Sequence, residues 1–152
     1  MKMRRSLRIV KGARGQSLVE FSFAMPVLLL LVFGIIDFGL GIKSYISLTN
    51  AVREGARYAA VGNAAGDAAD CDGLTSDTVY GRVCYTANGL NLGNLEPSVS
   101  YPNGQNPGDS VIVTADYQYD FVTPLGDFMN FFSGGGFEEH IALQASADMR
   151  LE

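Results

Sequence analysis

A 22-residue apolar run from Phe21 to Ile42, broken only by Asp37, constrains this chain more than any other feature. As a helix it would be about 33 Å long, enough to cross the hydrocarbon core of a bilayer. Its flanks differ in charge. Lys2, Arg4, Arg5, Arg8, Lys11 and Arg14 precede it with no acid among them. From residue 16 onward, five basic residues face all sixteen acidic ones, a formal charge of −11. Basic flanks stay with the anionic cytoplasmic face, so the expected orientation puts the N-terminus in the cytoplasm and everything after Lys43 outside it. The acidic remainder has no basic stripe for phosphate binding, which argues against a nucleic-acid partner.

Two carboxylates sit in or beside this run. Glu20 stands at its mouth, where an acid is costly unless something specific pairs with it. Asp37, near the far end, reads as a residue of the outer interface. A proton-relay role would need an intramembrane partner that a single helix does not offer.

Beyond Ile42 the helical pattern continues. Tyr45, Leu48, Val52, Ala56 and Ala59 recur at spacings of three and four, with Lys43, Asn50, Arg53 and Arg57 largely off that stripe. Gly62-Asn63 is a natural stop. The expectation is one helix over 16–62, oily all round in its first half and amphipathic in its second, with Pro26 inside it. Residues 63–76 are small, acidic and loop-like. Ser76 then reads as an N-cap for a short helix carrying Val79, Tyr80, Val83, Cys84 and Ala87, with a strand through the same β-rich residues as the competing reading. The Gly-, Pro- and Asn-rich stretch 89–109 reads as turns around a short strand near Val99–Tyr101.

Two strands are written plainly. Val111, Val113, Ala115, Tyr117 and Tyr119 alternate with Ile112, Thr114, Asp116, Gln118 and Asp120, and Ile141, Leu143, Ala145, Ala147, Met149 and Leu151 alternate with Ala142, Gln144, Ser146, Asp148, Arg150 and Glu152. Each strand needs a cover for one face, and the amphipathic half of the long helix supplies it. Between them, Phe128, Phe131, Phe132 and Gly134–Gly136 read as a flexible, oily connection that either tucks against the sheet or offers a contact surface. The fold expectation is therefore α+β: a long N-terminal helix on a small antiparallel sheet with one short extra helix. The organisation is a basic leader over 1–15, the helix over 16–62 with its membrane segment at 21–42, and an extracytoplasmic head over 63–152. Cys71 and Cys84 fall in that head, and an oxidising compartment makes a disulfide between them the expected state.

The string RGQSLVEF, running into the apolar helix, resembles the processing site of type IV prepilin-like proteins. The longer stretch GQSLVEFSFAMPVLLLLVFGIIDFGLGI, followed by LTNAVREGARYAAV, is similar to TadE-like proteins, the minor pilins or pseudopilins of Tad (Flp) pilus systems. The resemblance extends loosely to the closing LQASADMRLE; residues 63–110 carry no matching motif. It implies a pilin-like fold and a cut after Gly15 by an aspartic prepilin peptidase. The recognition residues would be Gly15, Gln16, and Glu20 with Phe21 at the fifth and sixth mature positions. The new α-amine at Gln16 would pair with Glu20 of a neighbouring subunit, which answers the unpaired acid noted above. One departure stands out: such pilins usually begin with Phe, and this chain would begin with Gln. Implied partners are the peptidase, other pilins or pseudopilins, the inner-membrane assembly platform and membrane lipid. The implied setting is the bacterial cytoplasmic membrane, single-pass, with the pilus or cell surface as a destination after processing.

The other classes find less support. A signal-anchored protein that is never cut, or a surface binding module, would share the same topology. A signal peptide ending near Gly39-Leu40-Gly41 conflicts with the unbroken amphipathic continuation. No GxSxG, P-loop or HExxH is present, and the single histidine, His140, sits beside Glu138 and Glu139, so the chain reads as non-enzymatic and cofactor-free. The acidic stretch Asp67, Asp70, Asp72, Gly73 and Asp77 hints at calcium. Aligned to an EF-hand on Gly73, however, it puts Ala68 and Val79 at the first and last ligand positions.

Overall fold

In the computed structural model, residues 13–67, 71, 76–136 and 140–152 are described. The basic leader up to residue 12 and residues 68–70, 72–75 and 137–139 lie outside the described residues, as do the side chains of Ala13, Arg14 and Phe132. A single helix, α1 (Ala13–Ala60), runs through the apolar and amphipathic halves without interruption, Pro26 included. It starts three residues before the expected Gln16 and ends two before the expected stop, with Gly62 in the left-handed conformation (φ 80°). The second helix, α2, covers Val79–Thr86, so the helical reading of this stretch holds over the strand reading. Its cap is Thr78 rather than Ser76: the Thr78 side chain accepts from the Gly81 amide, as an extended N-cap residue does. Two further orphan donors, the amides of Val79 and Tyr80, are satisfied by the carbonyls of Ala64 and Ala65 in the preceding linker.

After a short 3₁₀ turn (Leu92–Asn94) come β1 (Leu95–Ser100), β2 (Ser110–Asp120) and, after a further helix, β3 (His140–Arg150). The order is β1-β2-β3, antiparallel throughout, with Val99 opposite Val113 and Ala147 opposite Val113 on the other side. This register puts the odd-numbered residues of all three strands on one face, where Leu95, Val111, Val113, Ala115, Tyr117, Tyr119 and Ala145 are buried. The first strand includes Val99 and Ser100 of the expected stretch but starts four residues earlier, at Leu95, and carries Pro97, which the sheet tolerates because β1 is an edge.

That face is covered by Leu48, Ala51, Val52, Ala56 and Ala59 of α1, with Val79, Val83 and Cys84 of α2 completing the core. Tyr45 is not part of this stripe and stands about half exposed. Small residues let the two helices approach closely. A Cβ added at Gly55 would overlap a methyl of Val83, with Val113 Cγ1 at 3.5 Å and Val79 Cγ1 at 3.7 Å. At the edge of the same contact, Arg82 donates to Glu54 (2.9 Å) and lies over the Tyr58 ring at 5.6 Å from its centroid, while Arg57 bonds Glu54 from the next turn. The hydrogen bonds from Arg82, then Arg57, hold the Glu54 carboxyl below its ordinary range. Cys71 and Cys84 form a disulfide with Cα atoms 5.2 Å apart, fastening the linker to α2. The C-terminus returns to α1, where the Glu152 amide donates to the Ala60 carbonyl.

The oily connection is not a loop throughout. Leu125–Ser133 forms a helix, α3, closed by Gly134 in the left-handed conformation (φ 75°). It lies not on the sheet but beside the N-terminal half of α1, where Leu125 and Phe128 line one groove with Phe21, Met25, Leu29 and Phe33.

Candidate functional site

The processing-site residues predicted from the sequence occupy the exposed first turns of α1. Gly15, Gln16, Glu20 and Phe21 are all solvent-accessible, and Phe21 is 57 % exposed. Helix geometry places residues four apart on one face, and the Gln16 amide Nε2 donates to Glu20 Oε1 at 3.1 Å. Glu20 therefore has a local, neutral partner within its own chain. A Cβ built at Gly15 meets nothing within 4 Å. Packing gives no reason for glycine there, although glycine inside a helix costs about 1 kcal/mol relative to alanine.

From Leu18 to Ile36 the helix exposes apolar side chains on every side. Leu18, Phe23, Val27, Leu31 and Ile35 are each more than half accessible. The helix is long and apolar enough to cross a membrane, and its most apolar 18-residue window is buried nowhere against the rest of the protein. This exposed stretch ends at Asp37, which is only 2 % exposed.

Asp37 was legible as an anomaly in the sequence but not as what it is, the anchor point of the head on the helix. Its Oδ1 accepts from the backbone amides of Val122 (2.9 Å) and Thr123 (3.2 Å), and its Oδ2 from the Thr123 hydroxyl. Three donors from one loop converge on one carboxylate, which is how a buried acid is accommodated at tolerable cost. Close by, the Tyr119 hydroxyl is buried without a hydrogen bond of good geometry. Burial first, and then the negative charge of Asp37, push its phenol above the ordinary range. The sequence signal for this latch was the lone acid within an apolar helix; its partner loop carried no signal, because two of the three donors are backbone.

Two apolar grooves flank the latch. One, of about 410 Å³, opens between Phe38, Ile42 and Tyr45 of α1 and Tyr119, Ile141 and Leu143 of the sheet. The other, of about 440 Å³, opens between α3 and the Phe21–Phe33 stretch of α1. Neither gathers chemistry-bearing side chains beyond Asp37. Among the described residues, no group of three or more His, Cys, Asp or Glu comes together to hold a metal ion. Asp67 and Asp77 of the acidic stretch are described, but Ala68, Asp70, Asp72 and Gly73 of the calcium reading lie outside the described residues.

No curated protein and no solved structure matches this chain. A family model does, over residues 15–57, the span that carries the exposed apolar helix, Asp37 and most of the core-facing stripe. That family is described as TadE-like protein, and it is this family that the N-terminal helix of the chain, from Gly15 to Arg57, is similar to.

Proposed function

We propose that the protein is a minor pilin or pseudopilin of a Tad-type pilus, cut after Gly15 by a prepilin peptidase and acting in assembly or structure rather than catalysis. The observation that carries this reading is the TadE-like match itself, which begins at Gly15 and runs along the helix. The geometry is in keeping with it. Gly15 is exposed and has no packing role, and Glu20 and Phe21 follow at the spacing such a peptidase recognises, on a face open to an enzyme. A cut there removes the six leader cations that hold the helix to the cytoplasmic face and creates an ammonium at Gln16.

In a packed assembly, Glu20 would exchange its neutral Gln16 partner for the α-ammonium of a neighbouring copy. That exchange turns a weak local hydrogen bond into a charge-assisted one in a low-dielectric setting. The head stays outside the cytoplasm, fixed to the helix by the Asp37 latch and by the core around Val52 and Val113. The partners are then the peptidase, other pilins or pseudopilins, and the membrane-bound assembly platform.

Expression of a Gly15→Leu variant beside the wild type in the native host tests the processing step. The expected result is a slower-migrating, uncut band for the variant and a shorter wild-type band. Equal migration of the two at the full-length position would remove the prepilin reading and leave an uncut, signal-anchored protein.

A further inference from the structure

We infer that α3 and the loop before it are seated in the membrane, their apolar side against lipid acyl chains, so that the protein enters the bilayer through two elements rather than one. The inference rests on the membrane-anchored reading of α1 and deepens it. The loop Val122–Thr123 is tied to Asp37, and from there α3 turns back along α1 toward its N-terminus. Its Leu125 and Phe128 share a groove with residues from Phe33 down to Phe21, about 18 Å of helix. That part of α1 is the stretch whose other sides are apolar and open, with Phe23 77 % and Val27 69 % exposed. An element packed directly against a lipid-immersed helix shares its depth.

The composition of the segment agrees with that position. Between Val122 and Ser133 the one charged side chain is Asp127, in the first turn of α3, where it also complements the helix dipole. Phe131 is 83 % exposed and Val122 70 %, an arrangement unfavourable in water and favourable against acyl chains. The same groove covered by a second protein is the competing occupant. Lipid is preferred because the groove is continuous with the all-round apolar surface of α1, and only a solvent apolar on every side matches that surface.

The chain contains no tryptophan, so a single introduced one reports its own surroundings. Full-length protein carrying Phe131→Trp, Phe23→Trp or Asn103→Trp is reconstituted in phosphatidylcholine–phosphatidylglycerol vesicles, with or without lipids bearing a nitroxide on the acyl chain. All three positions are exposed, so the fold tolerates the changes. The expected result is at least about twofold quenching at positions 23 and 131, with position 103 on the head unaffected. Quenching at 23 but not at 131 overturns the inference and leaves the membrane-anchored reading intact. Blue-shifted but unquenched emission from the Phe131→Trp protein likewise overturns it and assigns the groove to a protein neighbour. No quenching at 23 overturns the anchored reading and the inference with it.

Discussion

Replacing Asp37 by alanine removes the acceptor of three head donors at once: the Val122 amide, the Thr123 amide and the Thr123 hydroxyl. The hydroxyl can rotate to a new partner, whereas the two amides are fixed by the backbone. A hydrogen bond to a charged acceptor contributes about 1.5–3 kcal/mol, and a buried donor left unmade costs about as much. Because the site is only part-buried on the loop side and water can recover some of the loss, the local cost should be about 2–4 kcal/mol. Asparagine is the informative contrast. Both amides donate to Oδ1, which Asn keeps, and the Thr123 oxygen can accept from the new Nδ2, so Asp37→Asn should cost less than about 1 kcal/mol. Hydrogen exchange of the peptide spanning Val122 and Thr123, in detergent-solubilised full-length protein, reads this opening directly. Protection should fall roughly 30- to 1000-fold in Asp37→Ala and only a few-fold in Asp37→Asn. Unchanged exchange in the alanine variant, or equal loss in both, would refute the latch.

The remaining predictions concern the core and its fastenings. Gly55→Ala should lower stability by about 1–3 kcal/mol because its Cβ must displace Val83, whereas Gly39→Ala, which meets nothing within 4 Å, should be neutral or mildly stabilising; thermal melts of the two separate close packing from helix propensity. Removing the disulfide in a Cys71→Ser/Cys84→Ser variant releases a clasp across thirteen positions and should cost about 3 kcal/mol, read as a lower denaturant midpoint. The Glu54 carboxyl titrates lower in the folded protein than its ordinary 4.5, because Arg82 and then Arg57 hold it ionised. Its contribution, about 0.5–1 kcal/mol after solvent screening, is therefore present above pH 4.5 and is lost as pH falls through the lower folded value. The stability gap between wild type and Glu54→Gln should close on acidification; a gap that widens toward low pH would contradict the assignment.

Much of the architecture was legible because period and polarity agreed. The alternation in β2 and β3 set which side chains face inward, and the register confirms one odd-numbered face across all three strands. The core stripe of α1 was legible at Leu48, Val52, Ala56 and Ala59, but Gly55, in the closest contact with α2, carries no hydrophobic signal. Tyr45 misled because an aromatic at helical spacing fits a core stripe and a groove wall equally well. The cap at Thr78 rather than Ser76 is a choice between neighbouring hydroxyls that propensity does not make.

Helix α3 was hidden by its setting. Glycines follow it, proline precedes it, and its aromatics read as loop contacts until they lie beside Phe33 and Met25 of α1. At the candidate site, the sequence marked Gly15 and Glu20 through spacing. It could not mark Asp37 as a latch, since two of its three partners are main-chain groups and all lie 85 or 86 positions away.

The central claim, that a cut after Gly15 releases a pilin-like subunit beginning at Gln16, is tested most directly by the mature N-terminus. Protein recovered from the native membrane and from sheared surface appendages would be digested and its first peptide identified by mass spectrometry. The account predicts a chain beginning at Gln16, free or cyclised, with the fifteen leader residues gone. A mature chain beginning at Met1, or near Ile42, would contradict it.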